Sequence, residues 1–142
     1  MYVLDTDVVS ELRKIPAGRA DKVFAAWAAD VSLDVCYLSV VTIHELEYGI
    51  LLVEKRDPSQ GAILRRWMTD YVETIFAERL LPFTKEAAKR AAAYQAAGST
   101  PVRDSFIAAT ADVVGMSMVT RNVKDFGRQL GHRVINPWAP AT

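Results

Sequence analysis

Acidic side chains in this sequence stand just after its apolar runs, and their types restrict the chemistry they can do. Asp5 and Asp7 close the run Tyr2-Val3-Leu4, and Glu45 ends the stretch Thr42-Ile43-His44-Glu45. Asp104 follows Thr100-Pro101, and Asp125 lies within Thr120-Arg121-Asn122-Val123-Lys124-Asp125. Each has an ordinary structural use when taken alone. Asp7 can cap a helix, Asp104 suits the dipole at a helix start, Thr42 and Glu45 have capping-box spacing, and Asp125 can cap a short helical turn. Gathered in one place, they repel, so some must protonate or share a cation. Arg103 and Arg121 flank the group, and no lysine or arginine is evidently placed inside it. A divalent ion that prefers oxygen, magnesium or manganese, is the simplest remedy. Carboxylates holding such an ion can activate water and stabilise phosphoryl oxygens.

Other chemistries lack their residues. The sequence has no Walker lysine motif and no dinucleotide glycine pattern, nor a cysteine pair or histidine cluster suited to zinc. Its histidines are His44, which reads as packing or surface, and His132, which reads as surface loop. Ser10 and Ser39 have no histidine partner for nucleophilic catalysis. Cys36, within Val35-Cys36-Tyr37-Leu38, reads as a small buried hydrophobe. A lone thiol fits a reducing compartment. With 17 basic and 17 acidic residues, the chain does not hold nucleic acid by bulk charge, although a local basic rim remains open. Asp5 and Asp7 interrupt the apolar start and no basic segment precedes it, so a secretory leader is not expected. No apolar run approaches the roughly 20 residues of a membrane helix. A soluble cytoplasmic protein is expected.

The elements that must position the acids follow from periodicity. The length of 142 residues suits one domain, and 51% apolar residues can fill a core. Strands are predicted at Tyr2–Leu4, Val35–Leu38, Leu80–Phe83, Met116–Thr120 and Val134–Asn136. Helical spacing covers Asp7–Arg13, Ala20–Ala29, Val40–Glu54, Lys85–Ala97 and Lys124–Leu130. Ser59 is read as the cap of one long helix carrying Leu64 through Phe76. Thr100 caps a further helix, with Pro101 at its first position, running to about Val114. Asp112 falls near its end and reads as a surface residue, and Pro137-Trp138 reads as a docked tail. Strands alternating with helices predict an α/β fold: a three-layer α/β/α sandwich with a central parallel sheet. Ligands of such sheets bind beyond the carboxyl ends of the strands, where right-handed crossovers would collect these acids.

Four segments carry a family resemblance: YVLDTDVVSEL from Tyr2, TIHELEYGI from Thr42, PVRDSFIAATA from Pro101 and MVTRNVKDF from Met118. In this order they resemble the PIN-domain ribonucleases, and among these the VapC toxins of type II toxin–antitoxin pairs, FitB-like branch. The resemblance implies a PIN-like sandwich and a magnesium- or manganese-dependent endoribonuclease whose activity inhibits translation or growth. It maps the family's acids onto Asp5, Glu45 and Asp104, and its helper hydroxyl onto Thr120. The fourth acid varies in place among members; Asn122 holds one of its positions and Asp125 the other, and the role is assigned to Asp125. Asp7 stands where the family often has asparagine. A cognate VapB-like antitoxin covering the site is implied, with a homodimer and a heterotetramer or larger assembly. The first two helices after the second strand are the implied dimer face, and apolar surplus around Trp27, Trp67 and Tyr71 adds to that expectation.

On this reading Asp5 and Asp104 hold the main ion, directly or through water, and Glu45 and Asp125 complete the set and orient the attacking water. Thr6, Thr120 and Asn122 hydrogen-bond behind the carboxylates. One ion or two, about 4 Å apart, are both compatible. Arg13, Lys14, Arg121 and Lys124 would contact RNA phosphates. Two rivals stand beside it. Asp5-Thr6-Asp7-Val8-Val9 fits the nucleophile loop of haloacid-dehalogenase-type phosphatases, although the downstream lysine and paired acids of that family are not evident. The other rival is an inactive PIN fold that only binds RNA or antitoxin.

Overall fold

The computed structural model describes residues 1–98, 100–131 and 133–140. His132 lies outside the described residues. The strands are β1 (Tyr2–Leu4), β2 (Cys36–Ser39), β3 (Leu80–Leu81), β4 (Ser117–Val119) and β5 (Val134–Ile135). The helices are α1 (Thr6–Leu12), α2 (Lys22–Asp30), α3 (Val40–Arg56), α4 (Pro58–Trp67), α5 (Glu73–Ile75), α6 (Lys85–Ala97), α7 (Val102–Val113) and α8 (Val123–Leu130). The strands form one five-stranded sheet in the order β3-β2-β1-β4-β5, with every pairing parallel. The three-layer α/β/α sandwich expected from the alternation of strands and helices is the observed architecture.

Both faces of the sheet are buried, as parallel sheets require. Alternation along β1 and β4 sends neighbouring side chains to opposite layers. Leu4 and Val119 join Val8, Val9, Phe24 and Leu38 on one side. Val3 and Met118 join Ile107, Ala108 and Phe126 on the other. Cys36 is fully buried, and burial pushes its thiol up to about 11, in keeping with a packing role. Trp27, Trp67 and Tyr71 also pack, partly buried, against the first core. Trp138 docks its ring 4.8 Å from that of Phe24, as the tail reading anticipated.

Several element boundaries differ from the sequence expectation. Asp57, not Ser59, caps α4, accepting from Gln60 N–H, and Pro58 occupies the first turn. The long helix is not continuous: a π turn spans Met68–Val72 before α5. Met68, Val72 and Phe76 are all fully buried. A spacing of four overshoots one α turn, and a wider turn takes up the excess. Thr100 does not cap α7; the flanking residue is Pro101, and the Thr100 hydroxyl instead accepts from Gln129. Asp112 is not a free surface acid. Its carboxylate receives Tyr94 O–H, Arg90 and Arg133, tying α6 and α7 to the segment before β5. Burial works to raise this carboxyl, but those donors outweigh it and hold it below the usual range.

Helices α3 and α4 form a tight hairpin. A Cβ at Gly61 would stand 2.6 Å from Glu54 Cα, a backbone atom that cannot swing aside. Arg65 clamps the pair, reaching Glu47 at 2.7 Å and Glu54 at 3.0 Å. Gly61→Ala is therefore expected to lower unfolding free energy by about 2 kcal/mol through overpacking, read as a lower urea midpoint. An unchanged midpoint would mean that the hairpin is looser than this.

Candidate active site

The sheet register sets the first part of the site. Leu4 pairs with Val119, so Asp5 and Thr120 leave the sheet side by side at its carboxyl edge. Asp5 N–H still bonds to Val119 carbonyl at 2.9 Å. Asp5, not Asp7, caps α1, accepting Thr6 N–H through Oδ1 at 2.8 Å. Its other oxygen receives the Thr120 hydroxyl at 2.7 Å. That hydroxyl in turn accepts Asn122 N–H at 2.9 Å, which fixes its direction. Asp5 is only 6% exposed, and burial pushes its carboxyl up to about 6 against the lowering effect of Thr120 and Thr6.

Two further groups close on the same edge. The Thr6 hydroxyl donates to Glu45 Oε1 at 2.8 Å and lies 3.2 Å from the Thr42 hydroxyl. Ser39 caps α3, so Thr42 and Glu45 are not a capping box. Thr42 is instead a fully buried hydroxyl behind Glu45. On the other side, Asn122 Nδ2 donates to Asp104 at 3.2 Å and to Asp125 at 2.8 Å. Asp125 is thus joined to the group through Asn122 rather than capping α8, which Asn122 flanks. The Asp104 carboxyl is raised by burial first, then by Asp125 and Glu45.

The structure brings together Asp5, Glu45, Asp104, Asp125, Thr6, Thr120 and Asn122 as one network. Asp7 is exposed at its margin and raises the carboxyls of both Asp5 and Asp104. A cation does approach: Arg103 lies 3.7 Å from Glu45, a long contact with 58% of the arginine side chain exposed. Of the basic residues assigned to RNA contact, Lys14 and Arg121 share one cavity with Asp7, whereas Arg13 and Lys124 do not line it. Thr42, Arg103 and Trp138 are the neighbours that the sequence reading left without a site role. Thr42 carried a signal in hindsight, being a polar residue three places before Glu45 on the buried side of α3. His44 is exposed and stacks near Tyr48, away from the carboxylates' hydrogen bonds.

Among the described residues, no three His, Cys, Asp or Glu side chains converge tightly enough to cage an ion by themselves. The carboxylates are instead close enough to shift one another, and all donors are oxygen. That set fits a small hard ion that keeps several waters and takes only one or two carboxylates directly. It does not suit zinc, which favours nitrogen and sulfur.

A stability consequence follows for the ion-free protein. Asp5 holds its proton more tightly folded, near 6, than unfolded, near 3.8. The native state therefore binds more protons between those values, and stability falls as pH rises through them. The full effect is about 3 kcal/mol, with about 1 kcal/mol expected between pH 5 and 6.5. Asp104 adds in the same direction. Glu11, Glu47 and Asp112 are held low and act at more acid pH, where stability is lost as pH falls. Denaturant titrations in chelator should show the decline above pH 5, and magnesium should relieve it. A flat profile would contradict the buried ionised state of Asp5.

The fold and this edge define the class: a parallel α/β/α sandwich with acids gathered at the carboxyl ends of its strands. The chain belongs to the PIN domain family, whose profile it matches over residues 2–128. It is 33% identical over 146 residues to VapC ribonuclease Y4jK of Sinorhizobium fredii, covering 99% of this chain and 100% of that protein. It is 31% identical over 144 residues to Toxin FitB of Neisseria gonorrhoeae, covering 97% and 99%. The structure of FitAB bound to an IR36 DNA fragment matches with a TM-score of 0.86 at 28% identity, covering 100% of this chain and 99% of that one. Family membership displaces the phosphatase reading of Asp5-Thr6-Asp7.

Proposed function

We propose that this chain is a magnesium- or manganese-dependent endoribonuclease, cytoplasmic, acting as the toxin of a toxin–antitoxin pair. The observation that carries the proposal is the joined network of Asp5–Thr120, Glu45–Thr6 and Asp104–Asn122–Asp125 at one sheet edge in a PIN-family chain. Asp5 and Asp104 would hold the ion, with Glu45 and Asp125 completing the set. When bound, the ion lowers the pKa of water and offsets charge on the phosphoryl oxygens. Thr120 and Thr6 hold one oxygen each of Asp5 and Glu45, so the carboxylates do not swing as the phosphate gains charge. Asn122 spaces Asp104 from Asp125 by donating to both. Glu45 and Asp125 orient the attacking water, whose oxygen bonds to phosphorus as an ester P–O bond breaks and the leaving oxygen takes a proton.

The partner proposal rests on similarity to a protein named as a toxin and to the FitAB structure. Self-association is proposed on α3 and α4, where Tyr48, Leu51, Leu52 and Ile63 are exposed. The direct test of function is end mapping of cellular RNA after brief expression, with Asp5→Asn as the control. New ends with wild type and none with the variant are expected. Identical ends from both, or none from either, would overturn the proposal.

A further inference from the structure

We infer that the cavity beside the carboxylate network seats one nucleotide of the RNA strand, with the Arg121 guanidinium, laid against Trp138, as its recognition arm. This rests on the ribonuclease reading and extends it to a specificity subsite. The cavity is about 260 Å³ and is lined by Asp7, Ser10, Glu11, Lys14, Arg121 and Trp138. Asp7 and Arg121 directly follow Thr6 and Thr120, so the cavity adjoins the network. It admits a single base and is far too small for a duplex.

The lining suits a heterocycle better than a bare phosphate. Its acids, Asp7 and Glu11, balance its cations, Lys14 and Arg121. Glu11 is already engaged, accepting Asp21 N–H at 2.9 Å and pairing with Lys14 at 3.0 Å. That leaves donors on Arg121 and Ser10 and an acceptor on Asp7, the mixed pattern of a base edge. The Arg121 guanidinium carbon stands 5.0 Å from the Trp138 ring centroid. Trp138 is itself anchored, its ring centroid 4.8 Å from that of Phe24 and its backbone N–H donating to Asn136 Oδ1 at 2.9 Å. An exposed arginine is thereby held over the indole ring before substrate arrives, which reduces the ordering that binding would require. Unpaired RNA bases stack on such guanidinium planes. Trp138 is then a positioning residue that acts through Arg121.

The test uses the full chain, a single-stranded oligoribonucleotide carrying a mapped cleavage site, and magnesium. Arg121→Ala is expected to raise KM about tenfold with kcat nearly unchanged. Arg121→Lys keeps the charge but not the plane and should resemble Arg121→Ala. Trp138→Ala should raise KM severalfold with kcat nearly unchanged, and Trp138→Phe, which keeps a ring behind the guanidinium, should recover most of that loss; wild-type KM in Trp138→Ala would overturn the positioning role. Binding by fluorescence anisotropy in the Asp5→Asn background should show the same tenfold loss when Arg121→Ala is added. Wild-type KM in Arg121→Lys would reduce Arg121 to a simple charge and overturn the inference. Unchanged KM in Arg121→Ala, with weaker capture of the antitoxin instead, would assign the cavity to protein and also overturn it. Wild type that neither cuts nor binds the RNA would sink the ribonuclease reading itself, a separate outcome.

Discussion

Asp5→Asn is expected to abolish metal-dependent RNA cleavage while leaving a folded protein that, without the ion, is more stable near neutral pH. The two effects have one cause. Asp5 is almost fully buried and its carboxyl is pushed up to about 6, so ionising it works against folding. The amide is neutral and nearly the same shape, and the Thr120 hydroxyl can turn to meet it. What the amide cannot supply is the charge that draws a divalent ion. Loss of the ion removes several kcal/mol of transition-state stabilisation, on the order of a thousandfold or more in rate. Single-turnover cleavage at saturating magnesium measures the loss, and urea unfolding in chelator at pH 7 measures the gain. A variant that cleaves at the wild-type rate would remove Asp5 from the mechanism. A variant that is less stable than wild type would contradict the account of its burial.

Asp112→Ala should clearly lower stability from a position well away from the acidic edge. One carboxylate there satisfies Tyr94 O–H, Arg90 at 3.0 Å and Arg133 at 2.6 Å. Truncation leaves two guanidinium groups and a phenol without their shared acceptor. Breaking such a pair in a buried setting costs 3–5 kcal/mol in general, and partial exposure reduces that to about 2 kcal/mol here. The expected result is a clearly lower urea midpoint with cleavage per folded molecule within about twofold of wild type. A midpoint equal to wild type would show that water replaces the carboxylate without loss. Asp112→Asn should fall between the two, since its oxygen still accepts.

The sequence reading succeeded where the determinants are local. Helix α6 covers the predicted span Lys85–Ala97, capped by Thr84, and Tyr2–Leu4 forms the strand that its composition predicts. The alternation of elements was enough to place Asp5, Glu45, Asp104 and Asp125 at one edge. Readings failed where a residue's partner is distant in the chain. Asp112 looked like a surface acid because Arg90 and Arg133 stand 22 and 21 residues away. The π turn at Met68–Val72 is set by what those side chains pack against, and spacing within the segment fits a plain helix equally well. Thr100-Pro101 has the composition of a cap, yet Thr100 is drawn to Gln129. Trp138 was legible as a docked tail, but its contact with Arg121 depends on the loop after β4.

The central claim is that carboxylates from β1, α3 and α7 share a divalent ion, and manganese binding tests it without reference to cleavage. Electron paramagnetic resonance titration of the full chain with Mn2+ should show saturable sites in wild type at pH 7 and weaker binding at pH 5, as protons compete for Asp5. Asp104→Asn should lower the affinity by at least about tenfold while circular dichroism stays the same, given loss of one charged oxygen ligand. Equal manganese affinity in wild type and Asp104→Asn would contradict the account.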